Sequence, residues 1–334
     1  MRGKIIVTLI LAATLFVMVS CEREVTETIV VAENTDCFTC HNDQDFGDEV
    51  VAAKVQWDAS QHAIGGNFER DGTSCSQCHT NEGFKAFLAT GETIDPTNPS
   101  SIGCFTCHAP HTVGDFSLRT SAPVEFIAGG SFDMGAANLC ANCHQARAHS
   151  PMVEADTVII TSSRWGAHHG PQANILSGQG AYAFDVDGYA ASPTHGAIPD
   201  GCVNCHFVEA YGAQSGGHTF NMTYVYHGGV TDNVAGCNAE GCHTGLEDFD
   251  HDGVQDSVSL LLDSLDFYLQ ADSVLDDEHL YILADNDTLI LDADVAKAAF
   301  NYLYFLEDRS FGIHNPAYAL EVLTASFEVI QPAP

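Results

Sequence analysis

The chain begins with an apolar run, Ile5 to Val19, flanked upstream by Arg2 and Lys4. A membrane-spanning helix needs roughly 20 apolar residues, so this shorter run predicts the core of an export signal with its positive flank over residues 1–20. Residues 21–36 then turn polar and acidic, which suits a tether. From 37 to 243 neither a period-two alternation nor a sustained helical period stands out, and short helices joined by loops are expected. After 243 the pattern changes. Residues 256–270 place apolar side chains at i, i+3, i+4 and i+7, and residues 292–308 carry a stripe through Val295, Ala299, Tyr302 and Leu306. Asp292 and Asp294 suit a helix start there, and Pro316 suits the first position of a helix over 316–330. Between the first two helices, Leu280, Ile282, Leu289 and Leu291 alternate weakly, predicting a small hairpin around Asp285-Asn286-Asp287. The fold class expected is mainly α with large irregular content, in two parts: residues 37–243, and a helical region 244–334 packed on them.

The cysteines explain why 37–243 lacks a pattern. Twelve of the 13 fall into one repeated unit: Cys37-x-x-Cys40-His41, Cys75-x-x-Cys78-His79, Cys104-x-x-Cys107-His108, Cys140-x-x-Cys143-His144, Cys202-x-x-Cys205-His206 and a longer form, Cys237-x₄-Cys242-His243. C-x-x-C-H is the attachment signal of haem c. Two thiols one helical turn apart reach the two vinyl groups of a porphyrin, and the following imidazole points at its iron as proximal ligand. Zinc ribbons, disulfides and a thioredoxin-like motif give no reason for a His after every pair. Six haems c are expected. At that density the macrocycles form the core of 37–243, with loops wrapped around them.

The histidines bear on coordination. Of 17, six are proximal, and the apolar-methionine alternative is scarce, with Met134, Met152 and Met222 the only Met beyond residue 20. Double-His ligation is therefore favoured, giving closed, low-potential irons. His62, His195, His218 and His314 sit in Gly/Pro/Ser-rich turns that can present a ligand. His111 is too close to His108 to reach the far face of the same haem, so it is expected to serve a neighbour. One of His168 and His169 joins them, with the choice open. His149 and His227 are reserves, and His251 and His279, in acidic stretches, are expected to be solvated.

With these motifs in view, the chain resembles the bacterial multihaem c-type cytochromes over roughly residues 37–334. In that group a Gly-[Ile/Val]-His-Asn-Pro string near the C-terminus often supplies a distal ligand, and here it reads Gly312-Ile313-His314-Asn315-Pro316. The strings His168-His169-Gly-Pro-Gln and Gly216-Gly217-His218-Thr-Phe are likewise similar to that group. The resemblance implies a haem-stacked core with a C-terminal helical hairpin that delivers His314. Ammonia-forming nitrite reductases of the same broad group carry C-x-x-C-K at the catalytic haem, and no such motif occurs here. Ser20-Cys21, directly after the apolar run, resembles the bacterial lipoprotein signal, which implies lipidation at Cys21.

Composition narrows the partners. Eleven Lys and Arg against 45 Asp and Glu leave a formal charge of −34, which excludes the phosphate-neutralising surfaces of nucleic-acid binders. Asp248, Asp250, Asp252 and Asp256 match the front of an EF-hand-type loop with Gly253 at the turn, a candidate Ca²⁺ site, although Ser259 stands where a bidentate Glu is usual. The reading is an exported, lipid-anchored electron carrier exchanging electrons with other cytochromes or an envelope reductase or oxidase, with assembly into a homopolymeric filament as a further option. The alternative is a multihaem oxidoreductase that reduces a small nitrogen or sulfur oxyanion at one open iron.

Overall fold

In a computed structural model of the chain the residues described are 47–64, 67–149, 156–184, 195–279, 282–283 and 288–331. The export run, Cys21, and the first motif, with Cys37, Cys40 and His41, lie outside them.

The expected class is the one observed: helices separated by long irregular segments, with little sheet. Over the motif region the helices are α1 (Gly47–Asp58), α2 (Gln61–Ile64), α3 (Ser76–His79), α4 (Asn81–Thr90), α5 (Cys104–Cys107), α6 (Pro110–Val113), α7 (Ala137–Ala141), α8 (Gln172–Leu176) and α9 (Cys202–His206). Most are a single turn, short of the length at which an isolated helix holds itself, so they are fixed by what they pack on. The longer α4 has its ends defined locally. The Thr80 side chain accepts from the Gly83 N–H at 2.9 Å, and Gly91, at φ 75°, closes the other end.

Three long helices follow: α10 (Val254–Ala271), α11 (Ala293–Asp308) and α12 (Pro316–Ile330). Their bounds fall within two residues of those expected from periodicity. Helix α10 buries Val258, Leu262, Leu265 and Leu269, one stripe of alternating four and three residue steps. That stripe packs with α11, through Ala296, Ala299, Phe300 and Leu303, and with α12, through Tyr318, Ala319, Val322 and Leu323. Of the largest fully buried side chains, only Phe84, Ile160 and Ile175 come from before residue 244. A smaller cluster of Val124, Phe126, Phe132, Ala137, Ala141, Ala173 and Leu176 lies among the motifs. The chain's own apolar core is thus concentrated at the C-terminal helices.

Two expectations about strands are corrected. Of the predicted hairpin, Leu280 and the turn Asp285-Asn286-Asp287 lie outside the described residues, while Ile282 bridges Leu275. Leu289–Asp292 pairs antiparallel with Thr157–Ile160, Leu291 opposite Val158. Burial explains the choice, because Val158, Ile160 and Leu291 all face the main core while Ile159 and Ile290 face out. Two further short hairpins, Val124–Glu125 with Ser131–Phe132 and Thr223–Tyr226 with Gly229–Asp232, also lie within the region where no strand was expected.

Candidate haem sites

Each described motif builds the same local object. The N–H of the motif His donates to the carbonyl of the first Cys, from His79 to Cys75 at 3.1 Å, His108 to Cys104 at 2.9 Å and His144 to Cys140 at 2.9 Å. One helical turn therefore carries both thiols on one side and the imidazole at its end. In the longer motif the His243 N–H still reaches the Cys237 carbonyl at 2.9 Å, so two extra residues leave the closure intact. All ten described cysteines are free thiols. Burial pushes the Cys107 thiol up to about 12 and Cys205 up to about 11.

Every described motif imidazole faces a second imidazole from elsewhere in the chain. The ring centroids are 6.4 Å apart for His79 and His168, 6.4 Å for His108 and His218, 6.0 Å for His144 and His62, 6.4 Å for His206 and His314, and 6.3 Å for His243 and His195. A metal–imidazole bond of about 2.0–2.1 Å puts two rings on opposite sides of one ion about 6.3 Å apart by centroid. Direct ring packing would bring them closer, as His168 and His169 are at 4.8 Å. Five spans of one length, each beside two free thiols, fit five haems c with an imidazole on both faces.

The electrostatics of seven of the ten rings agree with that use, while the Asp308 carboxylate raises His314 against the effect of its burial. Burial holds His62 down at about 4, with His144 and His206 adding to the effect, and burial followed by the Arg147 charge holds His168 at about 4. His79, His144, His206, His218 and His243 are likewise lowered, with burial the first cause in each. These rings are neutral at physiological pH, the form that offers a lone pair to a metal. Several are aimed through Nδ1, leaving Nε2 for the metal. His206 donates to the Phe220 carbonyl at 3.0 Å, His195 to the Ile313 carbonyl at 2.7 Å, His108 to the Ser117 carbonyl at 3.3 Å, and His144 to Gln172 Oε1 at 3.2 Å.

The motifs lie close together. Gln77 Nε2 donates to the Asn142 carbonyl at 3.2 Å, while the Cys78 and Cys143 thiols each contact the other motif's backbone at 3.8 Å. The second and fourth motifs are thus set back to back by a reciprocal contact. The distal side is assembled from loops. Gly216, at φ 70°, lets the chain turn into His218 where a Cβ would meet the Glu209 carbonyl at 2.6 Å. Gly312, at φ 93°, does the same before His314, where a Cβ would fall 2.9 Å from Val258 Cγ2.

No family model and no curated protein matches the chain. Among solved structures, it is similar to the outer cell wall cytochrome OcwA, with a TM-score of 0.53 at 20% identity over 83% of this chain and 50% of that one. The two share a fold. The chain spans about half the length of OcwA. An undecahaem cytochrome from the S-layer of Carboxydothermus ferrireducens also matches, with a TM-score of 0.45 at 18% identity over 77% of this chain and 38% of that one.

Other residues singled out in the sequence fall elsewhere. His169 bonds Glu307 at 2.8 Å while His168 faces His79, which separates the two members of that pair. The His111 ring lies 5.4 Å from Phe105. His149 and His227 stand beside Gly129 and Tyr226. His251 and His279 are exposed as expected, with side chains 45% and 48% accessible; His251 also lies 4.4 Å from His243, and His279 bonds the Asp266 carboxylate at 2.7 Å. The carboxylates of Asp248, Asp250, Asp252 and Asp256 do not converge, and among the described residues no three His, Cys, Asp or Glu side chains form a metal-holding group. Asp250 Oδ1 instead accepts from the Gln255 and Asp256 N–H groups at 2.7 and 3.3 Å, capping α10 in place of Gly253. Sequence reasoning missed Gln172 and Asp308. Gln172 closes the His168-His169-Gly-Pro-Gln string but bonds His144, 28 residues away, and Asp308 has no motif signal and bonds His314 across the turn between α11 and α12.

Proposed function

We propose that the chain is a hexahaem c-type cytochrome that relays electrons between redox proteins of the bacterial cell envelope. The observation that carries this reading is the set of five opposed imidazole pairs of one span, each beside two free thiols. In the proposal Cys75/Cys78, Cys104/Cys107, Cys140/Cys143, Cys202/Cys205 and Cys237/Cys242 attach the porphyrins. His79/His168, His108/His218, His144/His62, His206/His314 and His243/His195 hold the irons. Cys37, Cys40 and His41 form the sixth site, with His111 as the candidate distal ligand. Haem c, when bound, supplies one-electron Fe(III)/Fe(II) chemistry at each site. The polypeptide attaches, orients and shields. With haem bound, the two imidazoles of each pair would hold the iron between them at the five described sites, which favours a carrier over a reductase with an open iron.

Placement in the envelope rests on the export run and on Cys21 as a lipid-bearing N-terminus, and a fold shared with a protein named for the outer cell wall supports it. No helix among the described residues is long and apolar enough to cross a membrane. The excess of acid over base favours basic redox partners or neighbours bridged by cations. Intact-mass and peptide mass spectrometry of protein matured in a haem c-producing host tests the proposal. Six covalent haem additions, one per motif, are expected. A motif peptide lacking haem refutes its site, and Cys237/Cys242 is the most exacting case.

A further inference from the structure

The opposed imidazoles differ in what holds their outer nitrogen. For His108, His144, His195 and His206 the acceptor on Nδ1 is a neutral carbonyl or amide oxygen. For His314 it is the carboxylate of Asp308, at 2.7 Å. The Asp308 side chain is fully excluded from solvent, 0% exposed against 24% for His314. Asp308 is the last residue of α11 and His314 immediately precedes the Asn315 cap of α12, so the turn between two rigid helices fixes the contact. Ser310 completes it. The Ser310 hydroxyl donates to the other carboxylate oxygen and accepts from the His314 N–H at 3.3 Å.

A carboxylate on Nδ1 draws the imidazole proton outward and makes Nε2 a stronger donor to iron. Its buried negative charge also favours the ferric over the ferrous state, with little solvent to screen it. Both effects lower the reduction potential. The other carboxylates near paired imidazoles are weaker competitors. Glu307 bonds His169, whose side chain is 59% exposed, and acts on His168 only by charge at a distance, while Asp252, 85% exposed, contacts His251 at 3.6 Å and bonds no paired ring. Resting on the haem reading above, we propose that Asp308 is a positioning residue that makes the haem between His206 and His314 the lowest-potential site of the five described.

The test uses the full-length, haem-loaded protein in a potentiometric titration followed by visible absorbance and EPR. The His206 and His314 rings are inclined by 33°, the smallest angle of the five pairs, so this site is expected to give the most rhombic low-spin signal. Asp308→Asn removes the charge and keeps the shape. The most negative step, carrying the most rhombic signal, is expected to shift upward while the other steps hold. Ser310→Ala removes a donor from the carboxylate, concentrates its charge, and is expected to move the same step further down. If Asp308→Asn fails to load haem, Ser310→Ala decides alone. An unmoved step, or movement of a different step, overturns the assignment. Mass spectrometry of the Cys202/Cys205 peptide separates the two levels. A wild-type peptide without haem defeats the haem reading itself, whereas a loaded peptide with an unmoved step defeats only the role of Asp308.

Discussion

Asn315 holds α12 to the motif region, and its removal has a calculable effect. It is fully buried; Oδ1 accepts from the Tyr318 N–H at 3.2 Å, and Nδ2 donates to the Ile175 carbonyl at 3.1 Å and to that of Leu176 at 3.5 Å. Asn315→Ala strips the cap from α12, costing about 1 kcal/mol, within the usual range of about 0.5–2. It also removes the bond to Ile175, whose carbonyl keeps the Gly178 N–H at 2.9 Å. Losing the second partner therefore costs only about 1 kcal/mol. Together the loss is about 2 kcal/mol. Asn315→Ser restores an acceptor for Tyr318 but no donor for Ile175, so about half the loss is expected to return. Guanidinium unfolding of the haem-loaded protein, followed by far-UV circular dichroism, measures both variants. If Asn315→Ala lies within about 0.5 kcal/mol of wild type, or Asn315→Ser is as damaged as Ala, the bonding scheme is refuted.

His168→Ala is expected to convert one haem from low-spin to high-spin in EPR, whereas His169→Ala leaves the spin state intact, and the opposite pattern would reverse the assignment. The His169–Glu307 bond also predicts a pH dependence. That bond raises His169 above its ordinary 6.5, and although burial alone would raise Glu307, the same bond leaves it lowered. For a raised histidine the stabilisation is full below the unfolded value and fades as pH rises through the folded one. The destabilisation caused by Glu307→Gln should accordingly be larger at pH 5.5 than at pH 8 in thermal melts, and it should be small because the pair is half-exposed. Leu265→Ala, at a 0% exposed position in the C-terminal core, is expected to cost about 2–5 kcal/mol in the same unfolding assay. Asp250→Ala is expected to lose about 1 kcal/mol from the start of α10, equally with and without Ca²⁺. A loss that appears only in the presence of Ca²⁺ would support the cation-loop reading.

The sequence was most informative where a repeat or a period is complete within a short window. The three C-terminal helices were legible because Val258, Leu262, Leu265 and Leu269 recur on one face, and because Asp292 and Pro316 mark helix starts. The thiol turns were legible because each motif His bonds the first Cys of its own motif. Pairings between distant segments were not. Leu289–Asp292 takes its partner from Thr157–Ile160, and a weak local alternation cannot distinguish that strand from a hairpin with its own neighbour. Which imidazole faces which depends on the same long-range packing, as His62 shows in lying opposite His144. His168 and His169 were indistinguishable as letters. They separate only because Glu307, at the end of α11, takes the second ring. The acidic surroundings of His251 and His279 did indicate exposure, but not that Asp266 bonds one ring and His243 packs against the other.

The central claim is that two imidazoles close each iron. Quantitative EPR of the fully oxidised, haem-loaded protein tests it most directly, with the spin count normalised to haem content. Low-spin ferric haem is expected to account for the whole signal at the five described sites, unchanged by nitrite or hydroxylamine. A stoichiometric high-spin signal from one of those sites, shifted by either ligand, would contradict the account.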